Sequence, residues 1–519
     1  MIRRLLICSS LATWCFLNSW VELAEGDSFY FARYHPLKTV ILPVISWEIL
    51  ITVAALTVWE IWRRYQKQHT AASAALLLFL CFFPLGIASV ALLRAVPFNV
   101  VPLIRKPLFW PLVLVLAIPL SMLAIRRPGR FARGIGATLL YSSPVLALIV
   151  FQAARATIRF PVSAYADAGL ARRIENGPQT RRVVWIIFDE MSQEIAFANR
   201  PASLSLPNLD RLRQQSFYAS AARSPSGATE TSIPSLIIGE RVSAAEPSAP
   251  NRLLLTVQGR SQPVDWREVR NVFDSSRQLG YNTALVGWFH PYGRLLNRSL
   301  TKCYWTPGWL LSGVEEAAFP LSLTASLRDR AYLQFAAMPL VGHFPGVHPE
   351  QRQRKAKLRR FFYLVDRAVE VVADPAIGLA FIHLPVPHPP AIYSRSSRRY
   401  TTVEPADYLD SVALADQTLG ILRRTMEAAG QWDRTAVIVS ADHGWRTYLW
   451  RGDSDWSGEE EAVSHRSTMG VPFLLKFANQ TTEVFYDRPF DTLSTSRIVE
   501  ALLARRLTDP LHLTDQIDP

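Results

Sequence analysis

The segment SGATETSIPSLIIG, residues 226–239, contains five hydroxyl side chains and no cysteine. A serine or threonine hydroxyl is a weak nucleophile at neutral pH and needs an adjacent base or a bound metal ion to react. If one of these hydroxyls does chemistry, other parts of the chain must supply that base or metal. The five candidates are Ser226, Thr229, Thr231, Ser232 and Ser235.

Carboxylate and imidazole side chains adjoin several apolar, β-branched runs, which are typical of buried strands. Asp189 and Glu190 follow one run, and the pair Asp442–His443 follows another. Asp and His are good ligands for zinc and similar divalent metals. Each residue taken singly also fits a turn or a helix cap, but together they predict a metal site. Three more histidines lie at or near other runs: His383, His388 and His465.

The elements that must position these residues are strands alternating with helices. The longest helical pattern is amphipathic and covers 405–431. This alternation predicts an α/β domain with a mostly parallel central sheet. Ligands of such sheets bind at the carboxyl ends of the strands, where the acidic residues and histidines are expected. The runs read as strands are 183–188, 283–288, 378–383, 435–440 and 471–477.

Local sequence narrows the choice of hydroxyl. Ser226 lies between a proline and a glycine and is expected in a turn. Thr231 or Ser232 is expected to cap a short helix with the proline in its first turn, which places Ser235 inside that helix. Thr229 then lies in the loop just ahead of a helix N-terminus, where anions are stabilised.

The first third of the chain indicates a membrane domain. It holds five apolar runs of about 18–24 residues, the length needed to cross a bilayer. Arginine and lysine cluster at residues 3–4, 63–67 and 126–133, which predicts a cytoplasmic N-terminus and export of everything after the fifth span. The first run is alternatively a cleaved signal peptide, which exports the same domain. The runs are 5–24, 39–62, 71–93, 108–125 and 134–153.

Length and composition complete the predicted organisation. The chain has 519 residues and a net charge of +13, with a basic run at 352–360. That run is either a solvated helix face or a contact with an anionic membrane surface. An exported domain excludes nucleic acid as a partner, and its lone Cys303 excludes an internal disulfide. The predicted parts are a transmembrane domain at 1–154, a linker at 155–182, a catalytic domain at 183–505 and a tail at 506–519.

Three segments, 207–240, 279–290 and 407–444, resemble the sulfatase-like branch of the alkaline phosphatase superfamily. The resemblance covers about 183–505. Five spans ahead of an exported domain look like the membrane-bound phosphoethanolamine and phosphoglycerol transferases of bacterial envelopes. The resemblance therefore implies a multi-pass protein of the inner membrane with its catalytic domain on the periplasmic side.

The resemblance also selects residues. It implies a divalent metal, zinc first and manganese or calcium as alternatives, held by Asp189, Thr229, Asp442 and His443. It makes Thr229 the nucleophile, because this threonine lies five residues before Pro234 as in the family pattern. The resemblance implies that two histidines hold the substrate phosphate or a second metal: His388 and His465. Two further candidate site residues are Glu190 and His290.

The implied function is transfer of a phospho-headgroup, through a covalent threonine intermediate, from a membrane lipid donor to an envelope lipid or glycan. One alternative is hydrolysis of phosphate or sulfate esters on the same scaffold, and another is a non-catalytic envelope assembly protein. Sulfatases carry a Cys or Ser two residues before a proline and then an arginine, for conversion to formylglycine. The sequence RSPSG at 223–227 lacks this pattern, which disfavours sulfate esters. The disulfides usual around the phosphoethanolamine transferase nucleophile are also missing, so the headgroup stays open.

Overall fold

A computed structural model describes most of the chain and shows two compact units. The first comprises 1–162 together with 319–349, and the second comprises 163–318 together with 350–519. The predicted boundaries at 154, 182 and 505 stay predictions. The described residues are 1–23, 37–65, 115, 118–119, 122–123, 125–165, 169–175, 181–307, 327, 349–453, 455–465 and 469–513.

The first unit is helical in its described part. Its first helix packs against the third, fourth and fifth helices. The fourth and fifth helices each begin with proline, which is tolerated there because the first N–H groups of a helix have no partner within it. The helices are α1 (Ile2–Cys15), α2 (Leu17–Glu22), α3 (Leu42–Tyr65), α4 (Pro128–Tyr141) and α5 (Pro144–Arg159).

Two helical stretches of the described chain are long and apolar enough to cross a membrane, Leu42–Ile61 and Gly129–Arg159. They include most of the predicted runs 39–62 and 134–153. The predicted run 5–24 is divided between α1 and α2. The run 71–93 and most of 108–125 lie outside the described residues, so five crossings remain a prediction.

The second unit is built on an eight-stranded sheet, whose strands lie in the order β13 (Val484–Asp491), β2 (Phe217–Arg223), β12 (Phe473–Lys476), β11 (Thr435–Ala441), β1 (Arg182–Asp189), β8 (Ile377–Pro387), β6 (Asn282–Phe289) and β7 (Lys302–Pro307). Every pairing in it is parallel except the two made by β12. The predicted mostly parallel sheet is therefore confirmed.

The interpretation of 471–477 as another parallel strand was wrong, because β12 runs antiparallel to both of its neighbours. The chain leaves β11 at the carboxyl edge and enters β12 from that same edge. A return of this kind needs no crossover along the sheet, which a parallel strand would require.

Smaller sheets and flanking helices complete the second unit. One small sheet joins β3 (Val242–Ala249), β4 (Arg252–Val257) and β5 (Val264–Asp265), and the other joins β9 (Tyr393–Ser394) and β10 (Arg399–Tyr400). The helices are α6 (Pro207–Arg213), α7 (Thr229–Ile238), α8 (Val272–Gln278), α9 (Tyr292–Leu295), α10 (Pro349–Ala373), α11 (Tyr408–Ala428), α12 (Thr447–Trp450), α13 (Gly458–Ser464) and α14 (Thr495–Leu503).

Strand β1 is the centre of the core, and every one of its residues is buried. It pairs with β11 on one side and β8 on the other, placing Phe188 opposite Ala441 and Ile187 opposite His383. Residues following β1 and β11 therefore emerge side by side at the carboxyl edge. A shift in the β1–β8 register falls between Phe188 and Asp189, just where the strand ends.

Candidate active site

Two carboxylates and two imidazoles meet at the carboxyl edge of the sheet. His443 Nε2 lies 3.5 Å from Asp189 Oδ1 and 3.5 Å from Asp442 Oδ2. His383 Nε2 lies 3.8 Å from Asp189 Oδ2 and 4.0 Å from Asp442 Oδ2. All four side chains are fully buried. The strand ends thus bring three of the predicted metal ligands together and add His383 to them.

This cluster fits a divalent metal ion. Both carboxylate oxygens of Asp189, together with Asp442 Oδ2 and His383 Nε2, are buried and lack a hydrogen-bond partner among the described residues. Ligand atoms of Asp189, His383 and Asp442 lie within 4.8 Å of one another. Buried polar atoms are costly unless they are paired or bind a metal. A cation held by these residues satisfies all of them.

The histidines are oriented for such a role by their second ring nitrogens. His443 Nδ1 lies 3.0 Å from the carbonyl oxygen of Gly444, and His383 Nδ1 lies 3.2 Å from the hydroxyl of Tyr292. A bond of this kind at one ring nitrogen fixes the ring and directs the other toward the ligand. In both residues Nε2 is the atom that faces the carboxylates.

The two carboxylates differ in their electrostatic surroundings. Burial raises the pKa of Asp189 well above its ordinary range, and the charges of Asp442 and Glu190 raise it further. Burial also acts to raise the pKa of Asp442, but His443 and His383 hold it below the ordinary value. Several carboxylates in one buried space repel each other. A bound divalent cation offsets that repulsion, so the cluster as a whole favours cation binding.

Thr229 is the hydroxyl that reaches this cluster. It is buried, and its Oγ1 lies 3.2 Å from His443 Nε2. Thr229 is the first residue of α7, and the extended residue Ala228 occupies the N-cap position. The expectation that Thr229 lies in the loop ahead of the helix was therefore wrong by one turn. Thr229 still lies at a helix N-terminus, as expected, and negative charge is stabilised there.

The other four hydroxyls have structural partners. Thr231 Oγ1 lies 2.6 Å from Ser226 Oγ, and neither Thr231 nor Ser232 caps the helix. The Ser232 hydroxyl instead donates to the carbonyl oxygen of Asp442, which ties α7 to the metal cluster. Ser235 Oγ donates to the Thr231 carbonyl and accepts from the N–H of Val242. Pro234 lies inside the helix rather than in its first turn.

Glu190 organises the turn that follows β11. It is fully buried and adopts the left-handed backbone conformation, with φ of 67°. Its Oε1 accepts hydrogen bonds from the Arg446 N–H at 2.7 Å and from Trp450 Nε1 at 2.8 Å. Its own N–H donates to Asp442 Oδ1 at 3.1 Å. Glu190 therefore contacts Asp442 of the cluster, and its role as a site residue stays a prediction.

His388 lies beside this group. Its Nε2 is 3.6 Å from Glu190 Oε2 and 3.4 Å from Arg446 Nη2. Its N–H donates to the Asp189 carbonyl at 3.0 Å, which fixes the loop to β1. Burial, with the charge of Lys357, lowers the pKa of His388 well below its ordinary value. The ring is therefore neutral at physiological pH.

Lys357 was missed by the sequence analysis. It lies in the basic run 352–360, yet it is buried, and burial lowers its pKa to about 7. Its Nζ donates to the carbonyl oxygens of His388 and Pro390. The run is thus not a uniformly solvated face, because Lys357 holds the loop that carries His388. A lysine two residues from exposed Lys355 on a helix carries no sequence signal of burial.

We expect Lys357→Met to lower kcat/KM for ester cleavage at this site by about tenfold or more. The reason is that the loop 388–390 loses hydrogen bonds worth about 1–3 kcal/mol. Metal content should stay at the wild-type level, since Lys357 donates to carbonyls of the loop and not to the metal cluster. Steady-state kinetics and elemental analysis check this. Exposed Lys355→Met on the same helix is the matched control, and equal activity of the two variants would contradict the positioning role.

The two remaining predicted residues have different surroundings. His290 is buried in edge contact with Trp266 and Tyr292, and burial with nearby His383 lowers its pKa to about 3. His465 is exposed at the end of α13, and no described contact joins it to the cluster. Its role in holding substrate or a second metal stays a prediction.

Part of the chain is similar to a known protein family. Residues 342–501 match the family model described as Sulfatase. This segment contains both predicted metal ligands after β11 and both histidines near the end of β8, whereas Asp189 and Thr229 precede it. No match was found among curated protein sequences.

Solved structures are similar at low identity. The structure of Ps i-CgsB in complex with k-i-k-neocarrahexaose is 15% identical, with a TM-score of 0.44 over 66% of this chain and 77% of that chain. The PsFucS1 sulfatase from Pseudoalteromonas sp. is 15% identical, with a TM-score of 0.41 over 63% of this chain and 69% of that chain. The phosphonate monoester hydrolase of Agrobacterium radiobacter is 14% identical, with a TM-score of 0.39 over 62% and 74%.

The segment 342–501 supplies Asp442 and His443, which meet Asp189 and Thr229 in one buried cluster. The predicted resemblance to sulfatases is confirmed for residues 342–501, the segment that matches the Sulfatase family model.

Proposed function

We propose that this protein is a membrane-anchored, metal-dependent enzyme that transfers a phospho-headgroup to an envelope lipid or glycan through a covalent intermediate on Thr229. The observation that carries the proposal is the 3.2 Å contact between Thr229 Oγ1 and His443 Nε2. It places a buried hydroxyl on the carboxylate and imidazole cluster. A non-catalytic assembly protein has no need of such a cluster, so the arrangement favours an enzyme.

The chemistry follows from the residues around Thr229. Its oxygen forms a bond to phosphorus while the bond to the leaving alcohol breaks, and the alcohol departs with the threonine proton. An acceptor hydroxyl then attacks the phosphothreonine and restores the free threonine. A divalent cation, when bound, lowers the pKa of the threonine hydroxyl and offsets charge on the transferring group. The N-terminus of α7 favours the same negative charge.

Zinc is the metal we propose. Asp189 and Asp442 supply oxygen, and His383 and His443 supply nitrogen. Zinc accepts this mixture, whereas calcium takes oxygen ligands almost exclusively. Manganese is the second candidate, because it also accepts carboxylate and imidazole ligands.

A phosphoryl group is proposed over a sulfuryl group because the nucleophile is a threonine and RSPSG lacks the pattern for formylglycine. Hydrolysis of phosphate or sulfate esters is the alternative, and the family match favours it. Both routes share the first half-reaction and differ in whether water or another hydroxyl attacks second.

Mass spectrometry of envelope lipids and glycans from cells with and without the gene separates these routes. We expect one phospho-substituted species to disappear when the gene is deleted, which names the donor group and the acceptor together. Purified protein should also cleave a p-nitrophenyl phosphodiester faster than the matching sulfate ester. Loss of a sulfate-ester hydrolysis activity with unchanged phospho-substitution would support the hydrolase instead.

We expect the catalytic domain to lie outside the cytoplasm. The basic segments 63–67 and 126–133 and five predicted spans place it there. A periplasm-active reporter fused after Pro519 should be active, and the same reporter fused after Lys67 should be inactive. A cytoplasm-active reporter at the two positions provides the reciprocal control. Activity of that reporter after Pro519 would refute both the span count and a lipid donor from the outer side.

A further inference from the structure

A second group of side chains lies next to the metal cluster and is not used by the chemistry described above. Glu190 holds the turn after β11 through the Arg446 N–H, the Arg446 side chain and the indole of Trp450. The Arg446 guanidinium lies 3.3 Å from Glu190 Oε2 through Nη2 and 3.4 Å from Oε1 through Nε. One buried acid therefore fixes the position of one arginine.

The Arg446 guanidinium keeps hydrogen-bonding capacity that its described contacts do not use. Its Nη2 is shared between Glu190 and His388 Nε2, while its Nη1 has no partner among the residues that the structure describes. Its side chain is 15% exposed, so part of the side chain is reachable from solvent. A guanidinium presents five N–H groups, and its planar fork matches the oxygens of phosphate or sulfate.

Glu190 reaches this position through an unusual, left-handed backbone conformation. A glutamate with φ of 67° adopts a conformation that L-residues rarely take and that costs free energy. In this conformation the Glu190 carboxylate contacts Arg446, while a ligand atom of Glu190 still lies within 4.8 Å of Asp189 and His443. Such strain persists only where surrounding contacts maintain it, and here those contacts come from Arg446, Trp450 and Asp442.

We propose that Arg446 binds the non-bridging oxygens of the transferred oxyanion beside His388, and that Glu190 is the positioning residue that holds Arg446 there. The proposal rests on the proposed function and specifies how its site recognises a tetrahedral oxyanion. The metal cluster takes one side of the group, and the guanidinium takes another. Charge that develops on these oxygens in the transition state then meets a donor already in place.

The test uses the full-length protein with its metal and the variants Arg446→Met, Arg446→Lys and Glu190→Gln. We expect Arg446→Met to lower kcat/KM for the p-nitrophenyl phosphodiester by about 10- to 100-fold, the value of a charge-assisted hydrogen bond. The inhibition constant for inorganic phosphate should rise by a similar factor. Arg446→Lys should retain part of both, since it keeps the charge and loses the fork. Arg451→Met, an exposed arginine of the same segment paired with Glu461, is the matched control.

A double-mutant cycle separates positioning from simple structural damage. We expect Glu190→Gln to lower kcat/KM by about tenfold in the wild-type background and to have little further effect beside Arg446→Met, because coupled residues are not additive. Metal content, from elemental analysis, should stay unchanged in every variant. Loss of metal in Glu190→Gln would show that Glu190 is a ligand and overturn its positioning role.

Calorimetric titration with inorganic phosphate and with sulfate measures anion binding independently of turnover. We expect Arg446→Met to weaken binding of the preferred anion by at least about tenfold. The anion that binds more tightly to the wild-type protein identifies the transferred group as phosphoryl or sulfuryl. Wild-type affinity in Arg446→Met would overturn the proposal even if the enzyme is active. Anion binding that depends on Arg446 in a protein that cleaves no ester would refute the proposed function and leave the anion site standing.

Discussion

Thr229→Ala is expected to abolish turnover, with a fall in kcat of about 10⁴-fold or more, while the protein still folds. The magnitude follows from removing a nucleophile, which in enzymes of this kind leaves only the catalysis that binding and charge provide. The threonine is buried and lies 3.2 Å from His443 Nε2, so its loss also removes a hydroxyl aimed at the metal cluster. Single-turnover kinetics with the phosphodiester measure the effect.

Two variants of the same segment control this experiment. Thr231→Ala removes a hydroxyl that bonds Ser226 and the Ala228 carbonyl, so it should retain most of the activity. Thr229→Ser keeps a hydroxyl and should retain measurable activity. Circular dichroism and gel filtration establish that each variant is folded. Full activity in Thr229→Ala would exclude this residue as the nucleophile, and a large loss in Thr231→Ala would direct attention there.

The second large effect is expected on metal binding. Wild-type protein should hold about one divalent ion tightly, and Asp442→Asn and His443→Ala should each lose it. Removing one ligand of a buried site opens the coordination and leaves the remaining carboxylate charge without compensation. Elemental analysis of protein dialysed without chelator reads the stoichiometry and identifies the metal. The same variants should lose turnover in parallel with the metal.

His383→Ala and His512→Ala complete that comparison. His383 Nε2 lies 3.8 Å from Asp189 Oδ2 inside the cluster, so its loss should weaken metal binding by at least about tenfold. His512 is exposed near the end of the described chain and should have no effect. Wild-type metal content in both Asp442→Asn and His443→Ala would place the metal elsewhere.

Much of the site could be predicted from the sequence because chain direction and strand ends are local properties. Apolar, β-branched runs mark buried strands, and the residues just after them must emerge at one edge of a parallel sheet. This reasoning located Asp189, Asp442 and His443. The choice of Thr229 among five hydroxyls also needed the family resemblance, since turn and capping preferences alone misplaced the start of α7.

Other parts of the site depend on pairings between distant residues, which the sequence alone leaves open. His383 joins the cluster because the register of β8 sets it opposite Ile187, and a one-residue shift would turn it to the other face of the sheet. The direction of β12 depends on which strand it reaches. The sequence by itself determined the fold class and the acids at the strand ends, whereas export of the domain stays a prediction. Only the tertiary structure decided that Lys357 is buried and that Arg446 meets Glu190, because each requires an unpaired charge to find a partner far along the chain.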